Sequence, residues 1–226
     1  MFAQRGTHDD FYAEYPATPH EALAAEQLDR RLPWEWVKRC VADSQFESES
    51  EANRLGGGRD GRPGVPGLVV WAGPVTGRRY VIGADPAEGN PNSDESAACV
   101  LEAGSWRQVA ELAGRIEPST FAQFIDQVGR WYNAADVMVE RNNHGHLVLR
   151  ELERLGNLRI LPGYDDRPGW LSNVKGKPLL YGLVAEAVRD AACTICGSET
   201  AAQLASVEAS TLRAPQGLHD FLRHRM

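Results

Sequence analysis

Short apolar and alternating segments, separated by turns, dominate the chain after residue 67. Four of them have the composition and length of β-strands and are bounded by glycine, proline or charged residues: Leu68–Trp71, Arg79–Asp85, Ser96–Leu101 and Gln108–Ile116. Because only short connections separate them, we expect neighbouring strands to pair antiparallel. This half of the chain therefore predicts a layer of antiparallel hairpins.

The pattern changes after Glu117, where helical and strand-like segments alternate. The helical spacing of apolar residues predicts helices over Thr120–Tyr132, Gly145–Leu155 and Pro178–Ala192. Two short apolar runs between them, Asp136–Glu140 and Leu158–Leu161, predict further strands. Strands that alternate with helices favour parallel pairing. We therefore predict an α/β fold: a mixed sheet with helices on both faces.

The first 67 residues differ from the rest. Thr18 followed by Pro19 has the features of a helix start, and Pro33–Val37 begins a second short helix. A stretch rich in glycine and charge follows, with the features of a linker. We therefore divide the chain into an N-terminal helical segment (1–55), a linker or loop (56–67) and a main domain (68–226).

Composition narrows the class of protein. Of 226 residues, 42% are hydrophobic and 24% are charged, which is typical of soluble globular domains. The net charge of −7 argues against nucleic-acid binding by bulk charge, although a local basic surface beside clustered carboxylates stays compatible with it. The sequence shows neither a membrane-spanning apolar run nor a signal peptide, so a cytoplasmic location is expected.

The cysteines offer a weak metal signal. Cys193 and Cys196 are followed by His219 and His224, but 22 residues separate the two pairs. Structural zinc sites of this type leave about 12–15 residues between the pairs. We therefore favour ordinary thiols over a zinc site.

Two acidic residues carry the stronger signal, because Asp85 and Glu140 each end an apolar strand. Side chains at the carboxyl ends of strands line the crevice where α/β proteins bind ligands. Two carboxylates there repel each other unless a proton or cation intervenes, and Mg²⁺ or Mn²⁺ prefers oxygen ligands. The alternative for either residue alone is that it caps the following turn. Asp94 and Asp220 are further acidic candidates.

The motifs together resemble the nuclease domain of phage terminase large subunits, with the end of the ATPase domain at the N-terminus. The resemblance covers nearly the whole chain and rests on motifs that occur in the family's order: Phe11–Ala22, Leu68–Val100, Val139–Gly145, Gly169–Pro178 and Ala214–Asp220.

The resemblance implies an RNase H-like fold with a five-stranded sheet and cleavage of double-stranded DNA during genome packaging, in an infected or lysogenic host cell. It assigns Asp85, Glu140 and Asp220 as catalytic ligands of two Mg²⁺ or Mn²⁺ ions, and Asp94 as an auxiliary ligand. Portal and small terminase subunit are the implied partners. The residues expected to contact DNA are Lys175, Lys177, Arg141, Asn142 and Asn143.

Three features depart from the family pattern. No G-x-x-x-x-G-K-[ST] motif is present, so we expect no ATP site in this chain. Phe221 follows Asp220 where the family commonly has a second aspartate, and we expect the domain to be truncated at its C-terminus. The alternative is therefore a catalytically inactive fragment that docks to DNA or portal. A third hypothesis, another RNase H-like nuclease such as a junction resolvase, lacks a place for the N-terminal motif.

Overall fold

The computed structural model describes residues 29–42, 61–91 and 94–213. Five strands form one sheet: β1 (Leu68–Val70), β2 (Tyr80–Asp85), β3 (Ser96–Glu102), β4 (Arg107–Gly114) and β5 (Asp136–Val139). The helices within the described ranges are α1 (Trp34–Cys40), α2 (Pro118–Trp131), α3 (Gly145–Leu155), α4 (Gly176–Arg189) and α5 (Ser198–Ser206).

The sheet has the strand order β1-β4-β3-β2-β5. β2, β3 and β4 follow one another through short connections and pair antiparallel, whereas β5 returns after α2 and pairs parallel with β2. A crossover through a helix is the usual way to bring a strand back parallel. The predicted mixed five-stranded sheet is confirmed, and its one parallel pair lies at one edge.

Helix α2 covers one face of the sheet. Glu117 caps it by accepting a hydrogen bond from the Thr120 backbone N–H (3.0 Å), and Pro118 occupies the first turn. Phe121 and Ile125 are fully buried in the core between helix and sheet. Tyr132, just after the helix, donates a hydrogen bond to the Ala72 carbonyl at 2.7 Å. The crossover is thereby fixed to the sheet before β5 begins.

The opposite face of the sheet carries the C-terminal helices. On β4, the Glu111 carboxylate accepts a hydrogen bond from the Thr200 hydroxyl (3.1 Å), and Gln108 accepts from the Cys196 and Gly197 amides (2.9 Å each). Beyond these contacts lies a second apolar core that joins α1, α4 and α5. Its buried members are Leu32, Val37, Cys40, Ala185, Val188, Ile195 and Ala201. Helices thus lie on both faces, as predicted.

The structure differs from the sequence prediction at one strand and one helix. Leu158–Leu161 forms no strand: Ile160 makes a single parallel bridge to Val137. The ladder ends there because the Val139 carbonyl, which would continue it, accepts from the Trp170 N–H at 2.7 Å, and the Gly163 N–H donates to the Arg167 carbonyl instead. Helix α5 was not predicted from the sequence. The helix start at Thr18 lies outside the described residues, as do residues 43–55 of the expected N-terminal segment and residues 56–60 of the expected linker.

Two further observations concern residue chemistry. All four cysteines are free thiols, and burial raises the pKa of both Cys99 and Cys193 to about 12. In the described parts of the chain, no helix has the length and apolar character needed to cross a bilayer.

Candidate metal centre

The parallel pair β2–β5 brings Asp85 and Glu140 to the same edge of the sheet. Ala84 pairs in register with Val139, and the Glu140 backbone N–H donates to the Ala84 carbonyl at 2.8 Å. The next residues along the two strands are therefore neighbours across a gap of about 4.8 Å between strands. The structure thus places two predicted site residues, 55 positions apart in the sequence, side by side.

The surroundings of Asp85 favour the protonated form of its carboxyl group. Asp85 remains accessible to solvent, but its pKa is raised to about 7, chiefly because the surrounding protein atoms desolvate its carboxyl group. The charge of Glu140, a hydrogen bond between the two side chains and the charge of Asp94 contribute to the same rise in pKa. Near neutral pH, protonated Asp85 can donate this hydrogen bond to Glu140. The site therefore holds more negative charge than its surroundings balance.

Glu140 is held by a close backbone approach. The turn after β5 brings the Glu140 carbonyl so near to Gly145, the first residue of α3, that a Cβ there would lie 1.8 Å from the oxygen. The Gly145 N–H donates to the Asn142 carbonyl at 2.8 Å, which closes the turn. Glycine at 145 is thus a steric requirement of the site.

Arg141 and Asn142 fix the loop that follows Leu161. The Arg141 side chain is only 8% exposed and makes a bidentate ion pair with Asp165. The Asn142 amide donates to the Ser172 carbonyl (2.8 Å) and accepts from the Ser172 N–H (2.9 Å). Both side chains were predicted to contact DNA. Their polar groups contact protein here, and DNA contact stays a prediction.

The other predicted DNA-binding residues lie in the turn after Glu140 and at the start of α4. Asn143 is exposed, with a left-handed φ of 45°. The Lys175 ammonium lies 5.3 Å from the centre of the Tyr164 ring. Lys177, in the first turn of α4, lies close enough for its charge to oppose the raised pKa of Asp85. Contact of these three residues with DNA stays a prediction.

Sequence reasoning missed Tyr181. It lies four residues after Lys177 and so on the same side of α4. Burial and the negative charges of Asp85 and Glu140 raise the pKa of its half-buried phenol. The spacing from Lys177 was the available signal, but it points to a site only once α4 is known to lie over the carboxylates.

The donor set fits a hard divalent cation. Asp85 and Glu140 offer carboxylate oxygens, which Mg²⁺ and Mn²⁺ prefer, and a cation would relieve their repulsion. Within the described ranges, no group of three His, Cys, Asp or Glu side chains is arranged to hold a metal. Asp220, predicted as the third ligand, lies outside the described residues.

The fold has close structural counterparts, although no protein-family model and no curated protein matches the sequence. The large terminase nuclease from thermophilic phage G20c, solved with bound magnesium, has a TM-score of 0.61, 15% identity, and coverage of 86% of this chain and 93% of that chain. The cobalt-bound structure of the same nuclease has a TM-score of 0.61 and 16% identity, with coverage of 85% of this chain and 92% of that chain.

A second phage provides the same result. The large terminase nuclease domain of Thermus phage P74-26 has a TM-score of 0.54 and 15% identity, with coverage of 76% of each chain. The five-stranded mixed sheet of this chain is therefore the RNase H-like fold of terminase nuclease domains. The resemblance predicted from the motifs is confirmed at the level of the fold.

Proposed function

We propose that this chain is a divalent-metal-dependent endonuclease that cuts double-stranded DNA during phage genome packaging. The observation that carries the proposal is the acid pair: two carboxylates sit together at the end of the parallel strands and repel each other. Such an arrangement is unfavourable without a cation or proton between the carboxylates, and strongly perturbed carboxyl pKa values cluster at binding and catalytic sites. The fold shared with terminase nucleases supports the same conclusion.

Asp85 and Glu140 would hold two Mg²⁺ or Mn²⁺ ions, with Asp220 as third ligand and Asp94 as auxiliary ligand. Bound in pairs, such ions activate a water molecule and stabilise the leaving oxygen of a phosphodiester. The chain itself aligns these ligands: the β2–β5 register sets the spacing of Asp85 and Glu140, and the turn at Gly145 fixes the Glu140 backbone.

The surroundings of the pair suit a DNA backbone. Lys175, Lys177 and Asn143 would contact phosphates. The charge of Lys177 acts on Asp85, Lys175 is exposed two residues before Lys177, and Asn143 is exposed three residues after Glu140. Arg141 and Asn142 would act by holding the loop between Leu161 and α4 in place. We further propose portal and small terminase subunit as partners, and the cytoplasm of the host cell as the place of action.

Plasmid cleavage tests this proposal. The full 226-residue chain should nick or linearise supercoiled plasmid when Mn²⁺ or Mg²⁺ is present. Asp85→Asn should reduce the rate by at least about a hundredfold, because the variant loses a metal-binding carboxylate. Asp166→Asn is the matched control, since it makes the same change in an exposed loop and should leave the rate unchanged.

Metal binding separates the alternatives. Calorimetric titration with Mn²⁺ should show binding by the unmodified chain and weakened binding by Asp85→Asn. Equal binding by the two proteins would contradict the site. Mn²⁺ binding without cleavage by a folded chain would favour the inactive docking module instead.

A further inference from the structure

Helix α4 has a second apolar face that points away from the protein. Leu179, Leu180 and Leu183 are 43%, 39% and 56% exposed, and we call these three residues the leucine face. Ala185 and Val188 lie on the other side of the helix and are buried in the second core. A helix that is apolar on two sides normally has a packing partner on each of them.

The leucines of the leucine face are neighbours and form one continuous apolar surface. Leu179 and Leu183 are one turn apart, and Leu180 lies beside them. Val174, just before the helix, is 96% exposed. Single exposed leucines need no explanation, but contiguous ones mark an interaction site.

The C-terminal part of the chain passes close to this helix. Residues 207–209 run antiparallel to 29–31, with the Arg31 N–H donating to the Val207 carbonyl at 2.8 Å. The Arg31 guanidinium in turn lies 3.9 Å from where a Cβ on Gly182 would be. Residues 214–226, which continue from this point, therefore start within reach of α4.

The sequence of residues 214–226 suits the leucine face. Leu218, Phe221, Leu222 and Met226 recur at the spacing that aligns apolar side chains on one helical face. The segment has 13 residues, and it would span about 43 Å if extended or about 20 Å if helical. Helix α4, with 14 residues, is similar in length to the shorter value.

Charge distinguishes residues 214–226 from residues 1–28, the other segment that could cover the leucine face. Residues 1–28 also end close to α4, but they contain five acidic residues and one arginine. Residues 214–226 contain one aspartate and two arginines. Glu186 is exposed on α4, one turn from Leu183, and so favours the more basic segment.

We propose that residues 214–226 of the same chain dock on the leucine face of α4, with Leu218, Phe221 and Leu222 covering Leu179, Leu180 and Leu183. The docking buries apolar surface on both partners and is independent of any catalytic activity.

Site-specific photo-crosslinking tests the docking. A p-benzoylphenylalanine in place of Leu183, in the full chain, should crosslink on irradiation to a peptide from 214–226, as identified by mass spectrometry. The same probe in place of Leu147, which is 52% exposed on α3, is the control and should not capture that peptide. Combining the probe at 183 with Phe221→Asp should lower the yield about tenfold, because a carboxylate resists burial against leucines. His224→Asp, which adds a charge at a polar position, should leave the yield unchanged.

Every other result contradicts the proposal. Capture of a peptide from 1–28 would assign the face to that segment. Crosslinks between chains, detected by mixing ¹⁵N-labelled and unlabelled protein, would assign it to a second copy. No crosslink, or a yield that ignores Phe221→Asp, would also overturn the docking.

Discussion

Asp85 and Asp136 show how strongly the surroundings of an aspartate set its chemistry. Both lie on the parallel pair of strands, at opposite ends. The Arg159 guanidinium donates two hydrogen bonds to Asp136 (2.8 and 2.7 Å) and holds the pKa of that carboxyl below its usual value. Burial and Glu140 have the reverse effect on the pKa of Asp85. Of these two aspartates, only Asp85 would gain a compensating positive charge from a bound cation.

This contrast predicts that metal binding depends on pH. A cation must displace the proton from Asp85, whose pKa is about 7 in the metal-free protein. We expect the apparent Kd for Mn²⁺ to be nearly constant above pH 8 and to rise as the pH falls below 7, approaching about tenfold per pH unit. Calorimetry between pH 5.5 and 8.5 measures this, and a flat profile would contradict the raised pKa of Asp85.

The same proton fixes the sign of the stability change in metal-free protein. The folded state binds a proton on Asp85 up to about pH 7, whereas the unfolded chain releases it near the ordinary aspartate pKa of 3.8. The contribution of Asp85 to the free energy of unfolding is therefore largest below pH 4, and it is lost as the pH rises to 7.

Individual residues were predictable from the sequence only where a local pattern existed. Asp85 and Glu140 follow apolar runs, so their positions at strand ends could be inferred. The partner of Arg141 could not, since Asp165 lies 24 residues later in an irregular loop. Tyr181 depended on the packing of α4, which no local pattern predicts.

At the scale of elements, the turn between β5 and α3 determines how Glu140 is presented. Gly145→Ala should displace the Glu140 backbone, because the new Cβ would lie 1.8 Å from its carbonyl oxygen. We expect weaker Mn²⁺ binding and a cleavage rate reduced by about tenfold or more, since small displacements of catalytic groups are costly. Calorimetry and the plasmid assay measure the two effects.

Gly182→Ala provides the matched control for this substitution. A Cβ at 182 meets only the Arg31 guanidinium, at 3.9 Å, so binding and cleavage should be unchanged. Equal behaviour of the two alanine variants would show that the turn tolerates movement.

Where apolar residues recur with a clear helical or strand period, the sequence predicts the ends of the element to within a few residues. The bounds of α3 match the sequence prediction, and β2 to β5 differ from theirs by two residues or fewer at each end. Helix α5 was missed because its face is mostly small residues that pack through Thr200 and Ala201. Such a face differs little in hydrophobicity from the exposed face of the helix, so the helix can be recognised only once the residues that pack against it are known.

At the scale of the molecule, the second core joins the N-terminal segment to the C-terminal helices. Leu32 is fully buried there although it lies before the expected boundary at residue 56. Leu32→Ala should reduce the free energy of unfolding by about 3 kcal/mol, the usual cost of a cavity at a buried leucine. Urea titration followed by circular dichroism measures it.

Leu147→Ala supplies the comparison, because it removes the same atoms from a half-exposed position on α3. Its cost should be below about 1 kcal/mol. A similar small effect for Leu32→Ala, or a separate early transition for the second core, would contradict the packing of 29–42 as part of the folded unit.

The parallel pairing of β2 with β5 also has a consequence for the order of folding. The β2–β3–β4 hairpins close short loops. Asp85 meets Glu140 only when the chain closes the long loop that contains β3, β4 and α2. Closing a long loop costs more chain entropy and is slower than forming a hairpin. The acid pair is therefore expected to assemble late, so a partly synthesised or partly folded chain would contain each carboxylate without the site that needs both.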